Sequence, residues 1–122
     1  MERHNVGLVE KGWGHEEIFV TNDQYCGKIL HFKEGGKFSM HFHADKKETW
    51  YVLDGAFVVR IINTDNASID EYSLLPGDSW TNEPLMPHQV ICVKAGRFIE
   101  VSTPDSIKDN YRVFPGDSQC TT

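Results

Sequence analysis

Apolar and polar residues alternate along most of the chain in short runs, the period of strands that bury one face. The predicted strands are Glu16–Thr21, Tyr25–Phe32, Lys37–His43, Thr49–Leu53, Ala56–Ile62, Ser68–Leu74, Asp78–Thr81, His88–Val93 and Phe98–Thr103. Turn-forming clusters separate nearly all of them: Thr21-Asn22-Asp23, Glu34-Gly35-Gly36, Asp54-Gly55, Asn63 to Asn66, Pro76-Gly77-Asp78 and Ala95-Gly96. Asp54-Gly55 between two apolar runs predicts a tight hairpin, because glycine accepts positive φ without a steric cost. No stretch before residue 104 sustains the i, i+3, i+4 spacing of an amphipathic helix. Many short strands at regular spacing mean an all-β sandwich or closed barrel. Residues 1–12 read as an amino-terminal arm, 13–114 as the domain, and 115–122 as a flexible tail, with 104–114 a short helix or loop.

A chain of 122 residues has room for one core. Its net charge of −6 argues against nucleic acid, whose binding depends on Lys and Arg neutralising phosphates. It leaves open a small phosphorylated substrate, which needs only one or two well-placed cations. No apolar run reaches the ~20 residues that span a bilayer, and Met1 to Asn5 leads into glycine and charged residues without an apolar core, so the expectation is a cytoplasmic protein. Cys26, Cys92 and Cys120 are odd in number and widely spaced, and read as reduced thiols. Cys26 and Cys92 fall in strands and are expected to be buried; Cys120, in the polar tail, is expected to be exposed.

The chemistry concentrates in four residues. His41-Phe42-His43 lies on a predicted strand, so both imidazoles leave the same face. Glu48 opens the next strand after the polar link Ala44 to Lys47, and His88 begins another directly after Pro87. None of these residues alone specifies a site. Together, three imidazoles and a carboxylate form a mixed N/O donor set suited to one divalent ion among Fe, Mn, Co, Ni and Zn, with positions left for water or substrate.

The frame around these residues resembles the cupin superfamily. Gly35, five residues, His41-Phe42-His43, four residues, Glu48, six residues and Gly55 is similar to the first cupin motif at each defined position. Gly77 through Pro84, with Pro87 and His88, resembles the second, except that Leu85 or Met86 replaces a glycine and Cys92 an asparagine. The resemblance implies a double-stranded β-helix, or jelly-roll barrel, with the metal inside its mouth, and a homodimer. A finer likeness, to the mannose-6-phosphate isomerase type of cupin, rests on Trp13-Gly14, Glu17, Lys33 to Ser39, Glu48-Thr49-Trp50, Glu100 to Thr103 and Asp109 to Arg112. His41 stands where that type commonly has Gln, and Tyr111-Arg112 lacks the glycine of its closing pattern.

Alternation from Glu48 puts Trp50 and Val52 inside the barrel, and alternation from His88 does the same for Val90 and Cys92. Trp50 either stacks on a sugar ring or fills the barrel. Trp50, Lys28 and Arg97 are the candidate substrate-binding residues, with Lys47 and Arg112 further cations able to hold a phosphate or carboxylate. Glu100, on the last strand, is the candidate catalytic base. Three functions are compatible with this pattern. The first is a metal-dependent isomerase or epimerase of a small sugar or sugar phosphate. The others are an Fe(II) dioxygenase-type cupin and a non-catalytic module that binds a small ligand.

Overall fold

The computed structural model describes residues 1–3 and 5–119. Cys120 and the last two tail residues lie outside the described residues. Among the described residues nine strands run β1 (Gly7–Lys11), β2 (Gly14–Thr21), β3 (Cys26–Phe32), β4 (Met40–Phe42), β5 (Glu48–Ile62), β6 (Ile69–Leu74), β7 (Ser79–Asn82), β8 (His88–Ser102) and β9 (Tyr111–Phe114). Every pairing is antiparallel. One path follows β1-β2-β3-β8-β4-β9, while β5 joins β8 to β6 and β7. The sheet curls on itself into an all-β jelly-roll barrel. Among the described residues, no helix is long and apolar enough to cross a membrane.

The two longest strands correct the hairpin expected at Asp54-Gly55 and the turn expected at Ala95-Gly96. Asp54-Gly55 and Ala95-Gly96 do not reverse the chain. They lie inside β5 and β8, whose ladder runs from Glu48↔Ser102 to Ile61↔His88 with register shifts around Asp54 and Ala56. Gly55 takes its positive φ of 84° within the strand, and a Cβ there would come within 2.7 Å of the Gly96 Cα. The two glycines let the backbones touch where both strands bend, so each strand serves both sides of the barrel. The turn chemistry was present, but it forms bulges.

Further differences lie at the ends. Residues 7–11 of the expected arm form β1 against β2. Of the 104–114 segment, expected as a short helix or a loop, residues 104–110 form a loop and Tyr111–Phe114 form strand β9, pairing with β4. Within the expected tail, Asp117 folds back to accept the Lys37 amide, while Gly116 packs against the Phe38 backbone.

The core follows the alternation. Trp50, Val52, Phe57, Val59, Val90, Cys92 and Phe98 are all buried within the same cluster, while Tyr51 between Trp50 and Val52 is exposed. Trp13 stacks on Phe32 at 4.4 Å and closes one end. Cys26 and Cys92 are free and buried, and burial raises both thiols above their ordinary pKa, which makes them inert.

Candidate metal centre

Three strand ends bring the four expected ligands together. His41 on β4 stands directly opposite His88, the first residue of β8. His43 follows β4 by one residue on the same face as His41, and Glu48 is the first residue of β5. One donor atom from each of His41, His43 and His88 lies within 4.8 Å of the others. Glu48 Oε1 is 2.8 Å from His88 Nε2 and 3.8 Å from His43 Nε2.

The other nitrogen of each ring is tied down. His43 Nδ1 lies 2.6 Å from the Asp109 carbonyl, His88 Nδ1 2.8 Å from the Met86 carbonyl, and His41 Nδ1 2.9 Å from Ser39 Oγ. A carbonyl only accepts, so the Nδ1–H groups of His43 and His88 donate, and the Nε2 lone pairs turn inward. His88 Nε2 is fully buried and has no properly directed hydrogen bond, although the Glu48 carboxylate is in contact with it. Two acceptors this close need a positive charge between them, a proton or a metal ion. The three imidazoles therefore fit a divalent metal, aimed at a common point and oriented by a second layer, with the Glu48 carboxylate beside His88 and His43.

The electrostatics agree. Burial pushes His41 down to about 3, and the neighbouring His88 and His43 push it further in that direction. Burial lowers His43 as well. Both rings are then neutral near pH 7, the state a ligand must have. Burial opposes ionisation of Glu48, but His88, Glu100 and Lys46 outweigh it and hold the carboxyl well below its usual range.

Above these residues opens a cavity of about 480 Å³, which His41, His43 and Glu48 line from below. One wall carries a buried ionic network. Lys28 contacts Asp105 at 2.8 Å and Glu16 at 3.6 Å. Lys46 contacts Glu100 and Asp105 at 3.2 Å each and Glu48 at 3.6 Å. Glu100 Oε1 also accepts from Trp50 Nε1 at 3.1 Å. Burial and the charge of Glu48 push Glu100 up to about 8. A loop latches this wall: Asp109 accepts the amides of Ala44, Asp45 and Lys46.

The structure sorts the expected substrate contacts. Glu100 and Lys28 line the cavity. Trp50 does not: it is 1% exposed and packs beneath the site against Phe98 and His88, so it fills the barrel. Arg97 is also absent from the cavity. In this half of β8 the inward positions are Phe98, Glu100 and Ser102, which turns Arg97 to the outer surface, where it pairs with Asp54 at 3.0 Å. Lys47 likewise sits outside, against Glu83. Arg112 lines the cavity. The residues missed from sequence are Lys46, Asp105 and Asn110. Lys46 shares the parity of Glu48, two residues on, so extending the alternation backward through the polar link would have found it.

No curated protein sequence matches the chain, but solved structures do. Capsular polysaccharide assembling protein CapF from Staphylococcus aureus superposes with a TM-score of 0.77 at 16% identity, covering 91% of this chain and 33% of its own. Oxalate decarboxylase from Bacillus subtilis, a protein with Mn(II) centres, gives 0.77 at 16% identity over 89% of this chain and 30% of its own. KdgF from Halomonas sp. gives 0.70 at 21% identity over 86% of this chain and 90% of its own. The chain thus spans about a third of the CapF and oxalate decarboxylase chains, and at these identities the likeness establishes the fold. The profile of the cupin domain matches residues 28–102. That stretch contains all four converging residues and both glycine-framed motifs, and the chain belongs to the cupin domain family.

Proposed function

We propose that the protein is a metal-dependent isomerase or epimerase acting on a small sugar or sugar phosphate. The observation that carries this reading is the placement of the Glu100 carboxyl on the cavity wall beside the point where His41, His43 and His88 converge, with Glu48 against His88. Moving a proton between adjacent carbons requires a polarised oxygen and a nearby group that takes and returns the proton. His41, His43, Glu48 and His88 would hold a divalent ion, which supplies Lewis-acid polarisation of a substrate oxygen when bound. In its ionised form, which gains population as pH rises toward about 8, Glu100 takes the proton and returns it. Trp50 Nε1 fixes one of its oxygens and Lys46 Nζ the other. The description of CapF as a polysaccharide assembling protein supports a sugar ligand for this fold, and the Mn(II) centres of oxalate decarboxylase support a divalent ion.

The test is solvent exchange. Metal-loaded protein, incubated without oxygen in D₂O with a panel of aldoses, ketoses and their phosphates, incorporates deuterium beside the carbonyl of its substrate. Glu100→Gln lowers that exchange by roughly 10²–10⁴-fold, the usual worth of a general base, with metal content unchanged. Oxygen uptake by the iron-loaded protein, with no exchange in any sugar, would replace this reading with the dioxygenase one.

A further inference from the structure

Charge is distributed unevenly in the cavity. On the wall beside the converging ligands, Lys28 and Lys46 are already matched by Glu16, Glu48, Glu100 and Asp105. Neither ammonium is free to take an anion without displacing a carboxylate.

Arg112 is placed differently. It lies directly opposite His41 in the β4–β9 ladder, and paired residues leave a sheet on the same face. His41, His88 and Arg112 thus form one inward row across β8, β4 and β9. Arg112 lines the cavity, yet among the described residues its guanidinium has no ion pair or hydrogen-bond partner. Asn110, directly before β9, also lines the cavity, and its Oδ1 is buried without a donor. Lys11, on β1, likewise lines the cavity without an ion pair among the described residues.

An unpaired guanidinium presents a planar fork of donors, which matches the two oxygens of a carboxylate or phosphate. A buried amide oxygen without a donor carries a desolvation cost that a hydroxyl donor removes. Together they specify one kind of molecule, with an oxyanion at one end and hydroxyls along its length. We infer that Arg112, assisted by Lys11, binds the oxyanion of an anionic polyhydroxy substrate, one of whose hydroxyls donates to Asn110 Oδ1. As a statement about substrate this rests on the proposed isomerase reading; as a statement about binding it stands without the metal. It sets the orientation of the ligand, with the anion toward β9 and the rest of the molecule running past His41 to Glu100.

Calorimetry tests it with glucose 6-phosphate, glucuronate, inorganic phosphate and neutral glucose, on protein loaded with metal and on protein stripped with chelator. The anionic sugars bind more tightly than glucose in both states, and the better of the two shows whether the oxyanion is phosphate or carboxylate. Arg112→Gln weakens the preferred anion about tenfold or more, as loss of a charge-assisted bond should, and leaves metal content unchanged. Arg97→Gln, which alters an outer-surface guanidinium, binds as the parent does. Asn110→Ala weakens the anionic sugar several-fold while leaving inorganic phosphate, if bound, unaffected. Equal affinity for anionic sugars and glucose, or unchanged anion binding in Arg112→Gln, overturns the inference. A chain that takes up no metal but loses anion binding on Arg112→Gln sinks the isomerase reading alone. Metal uptake with unchanged anion binding in that variant sinks the subsite alone.

Discussion

Replacing Lys46 by Met removes one ammonium from among three carboxylates while keeping most of its volume. Lys46 is 6% exposed, with Glu100 and Asp105 oxygens 3.2 Å away and a Glu48 oxygen at 3.6 Å. At an effective dielectric near 20, a charge pair at these distances is worth about 5 kcal/mol before desolvation. Desolvation offsets much of that, and measured costs of removing one partner of a buried pair are about 3–5 kcal/mol. With a urea slope of about 2 kcal/mol/M for a chain of this size, the unfolding midpoint of metal-free Lys46→Met should fall by about 2 M. The cost depends on pH, with a sign that can be worked out. Glu100, raised to about 8 by burial and Glu48, contributes stability that is complete below its unfolded value near 4.5 and is lost as pH rises through about 8. Partial desolvation raises Asp105, but Lys28 and Lys46 outweigh it and hold it down to about 2. Its contribution is present above its unfolded value near 4 and is lost as pH falls through about 2. Below about 8 Glu100 holds a proton in the parent as well as in the variant, so its charge is left unpaired only above that pH. The penalty should therefore be larger at pH 9 than at pH 6, read as midpoint differences in urea titrations of chelator-treated protein. A loss within about 1 kcal/mol at pH 9, the range of an exposed pair, or a penalty that grows on acidification, would refute the buried-network argument.

Two other substitutions probe the scaffold. Asp109→Ala removes the acceptor of three backbone amides at Ala44, Asp45 and Lys46 and loosens the segment whose carbonyl orients His43. Metal affinity should fall by about 10–100-fold, as for other residues behind the ligands, measured by chelator competition. Gly96→Ala would drive a Cβ into the Asp54 carbonyl oxygen at the bend of β5 and β8. It should lower stability by at least about 1–3 kcal/mol in thermal or urea unfolding, and a neutral result would show that the two strands do not need their close contact.

Much of the fold and the ligand set was legible because both depend on local rules. Period-two alternation put Trp50, Val52, Val90 and Cys92 inside, and the same parity put His41 and His43 on one face. What local pattern could not distinguish was a glycine that reverses a chain from one that bends it. Asp54-Gly55 has the composition of a hairpin turn, but the partner strand supplies Gly96 opposite it, and that pairing is non-local. Arg97 went astray for a related reason, since the register through the bend decides which face it takes. Lys46 was hidden in a stretch of mixed polarity, and its burial depends on Asp105, which is distant in sequence. Arg112 was visible only as one cation among several. Its position opposite His41 depends on β9, in a segment where the sequence predicted a helix or loop.

Elemental analysis of the purified, untagged protein, alongside His41→Ala and His88→Ala, tests the central claim most directly. The expected result is about one equivalent of a divalent transition metal in the parent and a large loss in both variants, each still showing the β-sheet circular dichroism of a folded barrel. Metal content unchanged in both variants, or a parent that takes up none after reconstitution, would contradict it.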